Sequence, residues 1–234
     1  MKLRMILALA PALLVLAACT SQQAPTAQQQ SSATATGSAS GNNAGPAPVA
    51  GTDYVEIADG RPLLPGTGKI EVTEIFGYTC VHCAHFEPEL DEWQRTLPED
   101  VNFIRVPGVF GGIWDPFARA YYTAEELNIL DQSHDDMFDA VQNRRITGVT
   151  PNDFANFYSQ YGVDAGTFAR TFADARIDAK LKRAQQFEVQ SKIEGTPSMV
   201  VNGKHTVTVN ASGFKGMLAT VEWLIEQERK ATAL

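Results

Sequence analysis

The chain has 234 residues, 44% of them hydrophobic and 20% charged, with a formal net charge of −8 at neutral pH. That length suffices to bury a substantial core, and an acidic surface argues against nucleic acid as a partner. There is no internal repeat and no phosphate-cradling glycine motif; Gly66-Thr67-Gly68 reads as a turn before a strand.

At the N-terminus, Lys2 and Arg4 precede an apolar run over residues 5–18, too short to span a bilayer, and small residues lead into Cys19. This is the pattern of an export signal. Leu16-Ala17-Ala18-Cys19 resembles the lipobox of bacterial lipoproteins, in which the signal, here residues 1–18, is cut before the cysteine and the cysteine is acylated. That resemblance implies a lipid anchor on Cys19, enough acyl chain for stable membrane attachment, and a position facing an oxidising compartment. Thr20, not aspartate, follows the cysteine, which in the lipoprotein pattern implies sorting to the outer membrane. Loss of Lys2 and Arg4 with the signal takes the formal charge from −8 to −10. A plain secretory signal with an incidental cysteine is the alternative.

Residues 19–50 are rich in Ser, Thr, Gln, Ala, Gly and Asn and carry almost no large apolar side chains, so they are expected to form a tether rather than a core. Its root-mean-square reach would be roughly 30 Å. Residues 51–234 have the composition of one globular domain. Strands are predicted over 54–57, 70–76 and 101–106, with a helix over 80–97 between the last two. Phe86, Leu90, Trp93 and Leu97 share one face of that helix, and Pro88 is expected to kink it. An all-helical insertion follows over about 113–192, with turns marked by Gly148, Pro151 and Gly162. Strands over 198–201 and 204–209 flank Asn202-Gly203, residues suited to the positive φ angles of a two-residue hairpin turn. A last helix over 214–230 closes the domain.

Cys80-Val81-His82-Cys83 is the motif that carries chemistry. Cysteines three residues apart close only a very small ring, so their disulfide constrains little chain entropy and serves exchange better than bracing. Cys80 opens a helix, where unpaired N–H groups and the macrodipole favour a thiolate, and a protonated His82 would add a positive charge. Cys80 is therefore the expected nucleophile and leaving group, and Cys83, nearly one turn further in, the buried resolving thiol. Glu74 lies by period-two alternation on the face of its strand shared with Ile70, Val72 and Phe76, which aims a carboxyl at apolar neighbours. Glu87 sits on a helix flank where a solvated charge is equally consistent.

The ordered set of Glu74-Ile75-Phe76, the CxxC, Phe86-Glu87, Gly111-Gly112, Gly195-Thr196-Pro197 and Val201-Asn202-Gly203-Lys204 resembles the DsbA family of thiol oxidoreductases over nearly all of residues 51–234. The resemblance implies an α/β, thioredoxin-like fold with an inserted all-helical subdomain. It makes Glu74 a proton acceptor for Cys83. It also makes the bond before Pro197 cis and facing the CxxC, so that Thr196, Pro197 and Val81 contact substrate. Val81 departs from the Pro-His dipeptide commonest in the family, and Arg105 is the nearest candidate for a basic residue members often carry on the third strand. The implied function is donation of the Cys80–Cys83 disulfide to exported proteins with free thiols, on the periplasmic side of the envelope. A membrane quinone reductase resembling DsbB would restore the disulfide. No cofactor beyond that disulfide is expected, no metal, and a monomer. A reductase or isomerase of the same fold is the first alternative. A metal-binding lipoprotein using Cys80, His82, Cys83 and His85 is the second, with His134 and His205 read as lone surface histidines.

Overall fold

A computed structural model describes residues 46–232. The predicted signal, Cys19, Thr20 and nearly all of the predicted tether lie outside the described residues. In chain order the elements are β1 (Val55–Glu56), β2 (Ile70–Phe76), α1 (Val81–Gln94), β3 (Val101–Pro107) and α2 (Trp114–Glu126). Then come α3 (Leu130–Gln142), α4 (Pro151–Tyr158), a single 3-10 turn at Ser159–Tyr161, α5 (Ala165–Phe172) and α6 (Ala175–Gln190). The chain finishes with β4 (Ser198–Val201), β5 (His205–Thr208) and α7 (Gly213–Thr232).

The five strands form one sheet in the order β1-β5-β4-β2-β3. β2 pairs parallel with β3, as a strand–helix–strand unit requires, and antiparallel with β4. All seven residues of β2 are buried, because both faces of this inner strand are covered. On one side Val72, Phe86, Leu90, Met199, Met217 and Leu224 fill the layer between the sheet and α1 and α7. On the other, Ile75, Val106 and Val200 of the sheet adjoin an aromatic-rich core of Tyr78, Phe117, Phe154, Phe168 and Phe187 that reaches into the helices between β3 and β4. This is an α/β, thioredoxin-like fold carrying an all-helical insertion.

Several boundaries have local causes. α1 begins at Val81 because Cys80 is its N-cap, with an extended backbone and a sulfur that accepts the Cys83 N–H at 3.2 Å. It runs through Pro88 and ends at Gln94 rather than at residue 97, since Thr96 and Leu97 bond back only three residues. α4 starts on a reciprocal cap in which Thr150 and Asp153 each satisfy the other's backbone N–H, with Pro151 in its first turn. In the β4–β5 turn, Asn202 and Gly203 take φ of 52° and 68°. His205, expected on the surface, is half-buried against Glu228 of α7 at 3.3 Å, where Lys204 and Asn202 also converge on that carboxylate at 2.7 and 2.6 Å.

The hairpin turn also touches the segment after β1. A Cβ on Gly203 would lie 2.0 Å from the Arg61 carbonyl oxygen, and one on Gly60 would lie 2.0 Å from the Gly203 oxygen. Backbone meets backbone there, so neither neighbour can swing aside. Gly203→Ala is expected to lose about 2–4 kcal/mol, combining the positive φ with the overlap. Urea unfolding measures it, and an unchanged midpoint would contradict this account of the crossing.

Candidate active site

Cys80 ends the turn that leaves β2, its N–H bonded to the Gly77 carbonyl at 2.9 Å. Its sulfur accepts from Cys83 N–H and lies 3.5 Å from the Thr196 carbonyl oxygen, which the loop before β4 delivers from 116 positions away. Both cysteines are free thiols; Cys80 is half-buried and Cys83 buried. The Cys83 thiol hydrogen bond brings Cys80 down to about 5, against its partial burial, with further help from Thr196 and the N–H groups of Cys83 and His82. Burial, then the bond to Cys80, pushes Cys83 far the other way. Two thiols of one motif are thus split into a ready thiolate and a thiol that holds its proton.

Val81 is 47% exposed, and His82 is exposed beside it. The Thr196–Pro197 peptide is cis; Thr196 is half-buried and Pro197 buried. Cys80, Val81, His82, Thr196 and Pro197 therefore share one end of the sheet, with Cys83 just beneath.

Below Cys83 lies a buried charge cluster. The parallel register sets Glu74 of β2 opposite Arg105 of β3. Glu74 is 0% exposed and accepts no hydrogen bond; Arg105 Nε stands 3.5 Å away. Burial and then repulsion from Glu87 push its carboxyl well above the usual range, only partly countered by Arg105. Helical spacing places Glu87, Asp91 and Gln94 of α1 along the same guanidinium, at 3.0, 2.5 and 3.1 Å. Glu87, equally consistent with a solvated charge on sequence grounds, is buried. Burial opposes its anion, but the facing His134 ring and the Arg105 charge overcome that cost and hold its carboxyl below the usual range.

His134 is a correction. It is no lone surface histidine: only 7% exposed, it places Nδ1 at 2.9 Å from the Tyr78 hydroxyl and Nε2 at 3.6 Å from Glu87. Tyr78, His134 and Arg105's central position were not legible in the motif, since their partners come from elements distant in sequence. The candidate metal ligands Cys80, His82, Cys83 and His85 do not form a cluster. Among the described residues the acidic group close enough to share an ion is Glu87, Asp91 and Asp135, and Arg105 already bonds two of these.

A thiolate-forming cysteine at a helix N-cap, a proton-holding partner one turn in and a cis-proline loop against the first sulfur define a thiol:disulfide oxidoreductase of thioredoxin fold. Residues 114–219 match a family model described as a DSBA-like thioredoxin domain. The thiol:disulfide interchange protein DsbA of Azotobacter vinelandii is 36% identical over 182 residues, 77% of this chain and 85% of that protein. That of Pseudomonas aeruginosa is 36% identical over 184 residues, 78% of this chain and 87% of its own. The crystal structure of oxidoreductase DsbA from Xylella fastidiosa superposes with a TM-score of 0.75 at 44% identity, over 78% of this chain and 98% of that one. The chain belongs to the DsbA family and is a protein thiol:disulfide interchange oxidoreductase.

Proposed function

We propose that this protein donates the Cys80–Cys83 disulfide to exported proteins during oxidative folding on the periplasmic side of the cell envelope, held to a membrane by lipid on Cys19. A substrate thiolate attacks Cys80 Sγ, the intramolecular S–S bond breaks, and Cys83 leaves, taking up a proton. The substrate's second thiolate then attacks the substrate sulfur of the mixed disulfide and expels Cys80 as a thiolate. Two electrons pass to the protein, and a DsbB-like membrane quinone reductase removes them. Glu74 exchanges the Cys83 proton, while Val81, Thr196 and Pro197 present the surface and backbone groups that receive an extended peptide. The disulfide is the whole redox centre and needs no added cofactor or metal.

One observation carries the direction of reaction: the opposite acidity of the two thiols. A stable Cys80 thiolate stabilises the reduced protein, and a stabilised reduced state makes the disulfide a stronger oxidant, an effect for which the DsbA family is itself a standing example. The redox potential of the pair, measured against glutathione, is expected well above the thioredoxin value of about −270 mV. His82→Ser should make it more reducing, since it removes the imidazole beside the thiolate. A thioredoxin-like potential would overturn the oxidase reading in favour of a reductase.

A further inference from the structure

We propose that His134 is a positioning residue of the exchange site: it fastens Tyr78 on the approach to Cys80 and keeps the negative charge of the buried acid pair on Glu87 rather than Glu74. This rests on the role proposed above for Glu74 and the two thiols. His134 reaches the site from α3, across a ring of aromatic edges made by Phe76, Tyr121 and Phe138 at 5.1, 6.0 and 5.2 Å. Its two nitrogens touch both flanks of the motif. Nδ1 meets Tyr78, two residues before Cys80, and Nε2 faces Glu87, four residues after Cys83.

The chemistry of the two contacts fixes the proton. With the Tyr78 hydroxyl donating to Nδ1, the ring proton lies on Nε2 and points at Glu87 Oε1, an oxygen sealed from solvent with no hydrogen-bond partner. Glu87 then faces a donor group on each oxygen, the His134 ring N–H on one at 3.6 Å and the Arg105 guanidinium on the other at 3.0 Å. Glu74 meets Arg105 Nε alone, on one oxygen at 3.5 Å. Two neighbouring buried carboxyls do not both ionise readily, so the charge settles on the better-served one. The titratable and charged groups around the ring are Tyr78 before α1, Glu87 and Asp91 on α1, Tyr121 and Glu125 on α2, Arg105 on β3, and Asp131 and Asp135 on its own helix.

Where the charge sits matters because Glu74 is the carboxyl whose charge bears on both thiols. Without His134 the Glu87 anion loses a partner and negative charge moves to Glu74. A charge there disfavours the Cys80 thiolate and weakens the protein as an oxidant. The test follows thiolate ultraviolet absorbance against pH and the equilibrium with glutathione. In His134→Leu the Cys80 titration should move to higher pH. The equilibrium should shift roughly three- to tenfold toward the oxidised protein, where tenfold corresponds to about 30 mV.

His134→Gln, whose side-chain N–H can face Glu87, should recover most of both changes. In a Glu87→Gln background, His134→Leu should have no further effect on either. Should His134→Leu not fold, His134→Asn replaces it, keeping a group toward Tyr78 and losing the reach to Glu87. A folded variant with lower thermal stability but an unmoved titration and equilibrium would reduce His134 to packing and overturn the proposal. A reducing potential in the unmodified protein would instead overturn the oxidase reading, since the His134 effect is read as a difference.

Discussion

Cys83→Ala should abolish oxidation of substrate thiols, since no disulfide is left to donate, and leave a trap for disulfide-bearing substrates: the Cys80 thiolate attacks the substrate S–S bond, expels one sulfur as a thiolate, and stays in a mixed disulfide with no Cys83 thiol to release it. Cys83 is buried, one turn inside α1, and is the sulfur that pairs with Cys80 in the disulfide proposed above. Without it, catalytic turnover on a reduced peptide should fall at least about 10³-fold, the scale expected when a residue of the covalent step is removed. Adducts should accumulate on non-reducing gels when the variant is offered a disulfide-bearing peptide, in which Cys80 replaces one sulfur of the substrate disulfide. The substitution also removes the largest stabilising contact of the Cys80 thiolate, so Cys80 should titrate above its value of about 5 while remaining below its ordinary 9, because Thr196 and the helix N–H groups persist. The sign on stability follows. A thiol whose folded pKa is depressed contributes stability that is lost as pH falls through that folded value. The reduced unmodified protein should lose this contribution progressively as pH falls from about 9 to about 5, and Cys83→Ala a smaller one over a window that ends at higher pH. Alkylation of Cys80 across the same range tests it. A titration identical in both proteins would show that the Cys83 thiol does not sustain the thiolate.

The fold and the reacting pair were legible in the sequence because their signals are local. β2 spans the same residues as its run of apolar and β-branched positions, and Asn202-Gly203 marks its hairpin by backbone chemistry alone. Glu74 could be found as well, since strand alternation fixes its face without any knowledge of the partner. The rest of the charge cluster depends on register and docking. Arg105 is placed by its pairing with Glu74 in a parallel ladder, and period-two reasoning on one strand says nothing about that offset. His134 lies 56 residues from Tyr78 and reads in isolation as a polar residue in a sequence of Asp and Gln on α3. What distinguishes it is the way α3 packs on α1. Glu87 was ambiguous for the same reason: helical spacing gives it a direction, and only β3 and α3 make that direction an interior.

Glu188 was likewise invisible, and Glu188→Gln should flatten part of the fall in stability between pH 5 and 8. Glu188 is a buried carboxyl near the end of α6 whose Oε1 accepts the Val109 N–H at 3.0 Å, pinning the link between β3 and α2. Burial raises its pKa from 4.5 to about 7, opposed by that hydrogen bond and assisted by repulsion from Asp115. In the unfolded chain it ionises near 4.5, so between 4.5 and about 7 the folded state holds a proton that the unfolded state has released. The contribution is complete below the unfolded value and lost as pH rises through the folded one. At about 1.4 kcal/mol for each pH unit separating the two values, the loss approaches about 3.5 kcal/mol at most. Glutamine retains an oxygen for Val109 and cannot ionise. Its unsatisfied amide adds a constant offset that does not depend on pH. Glu74, also raised, contributes a slope of the same sign to both proteins, so the difference between the two stability curves isolates Glu188. Denaturant unfolding at pH 5 and pH 8 should give a variant that gains about 1–3 kcal/mol on the unmodified protein between the two conditions. Parallel curves would mean that Glu188 is already ionised in the folded state, with Val109 and solvent outweighing burial.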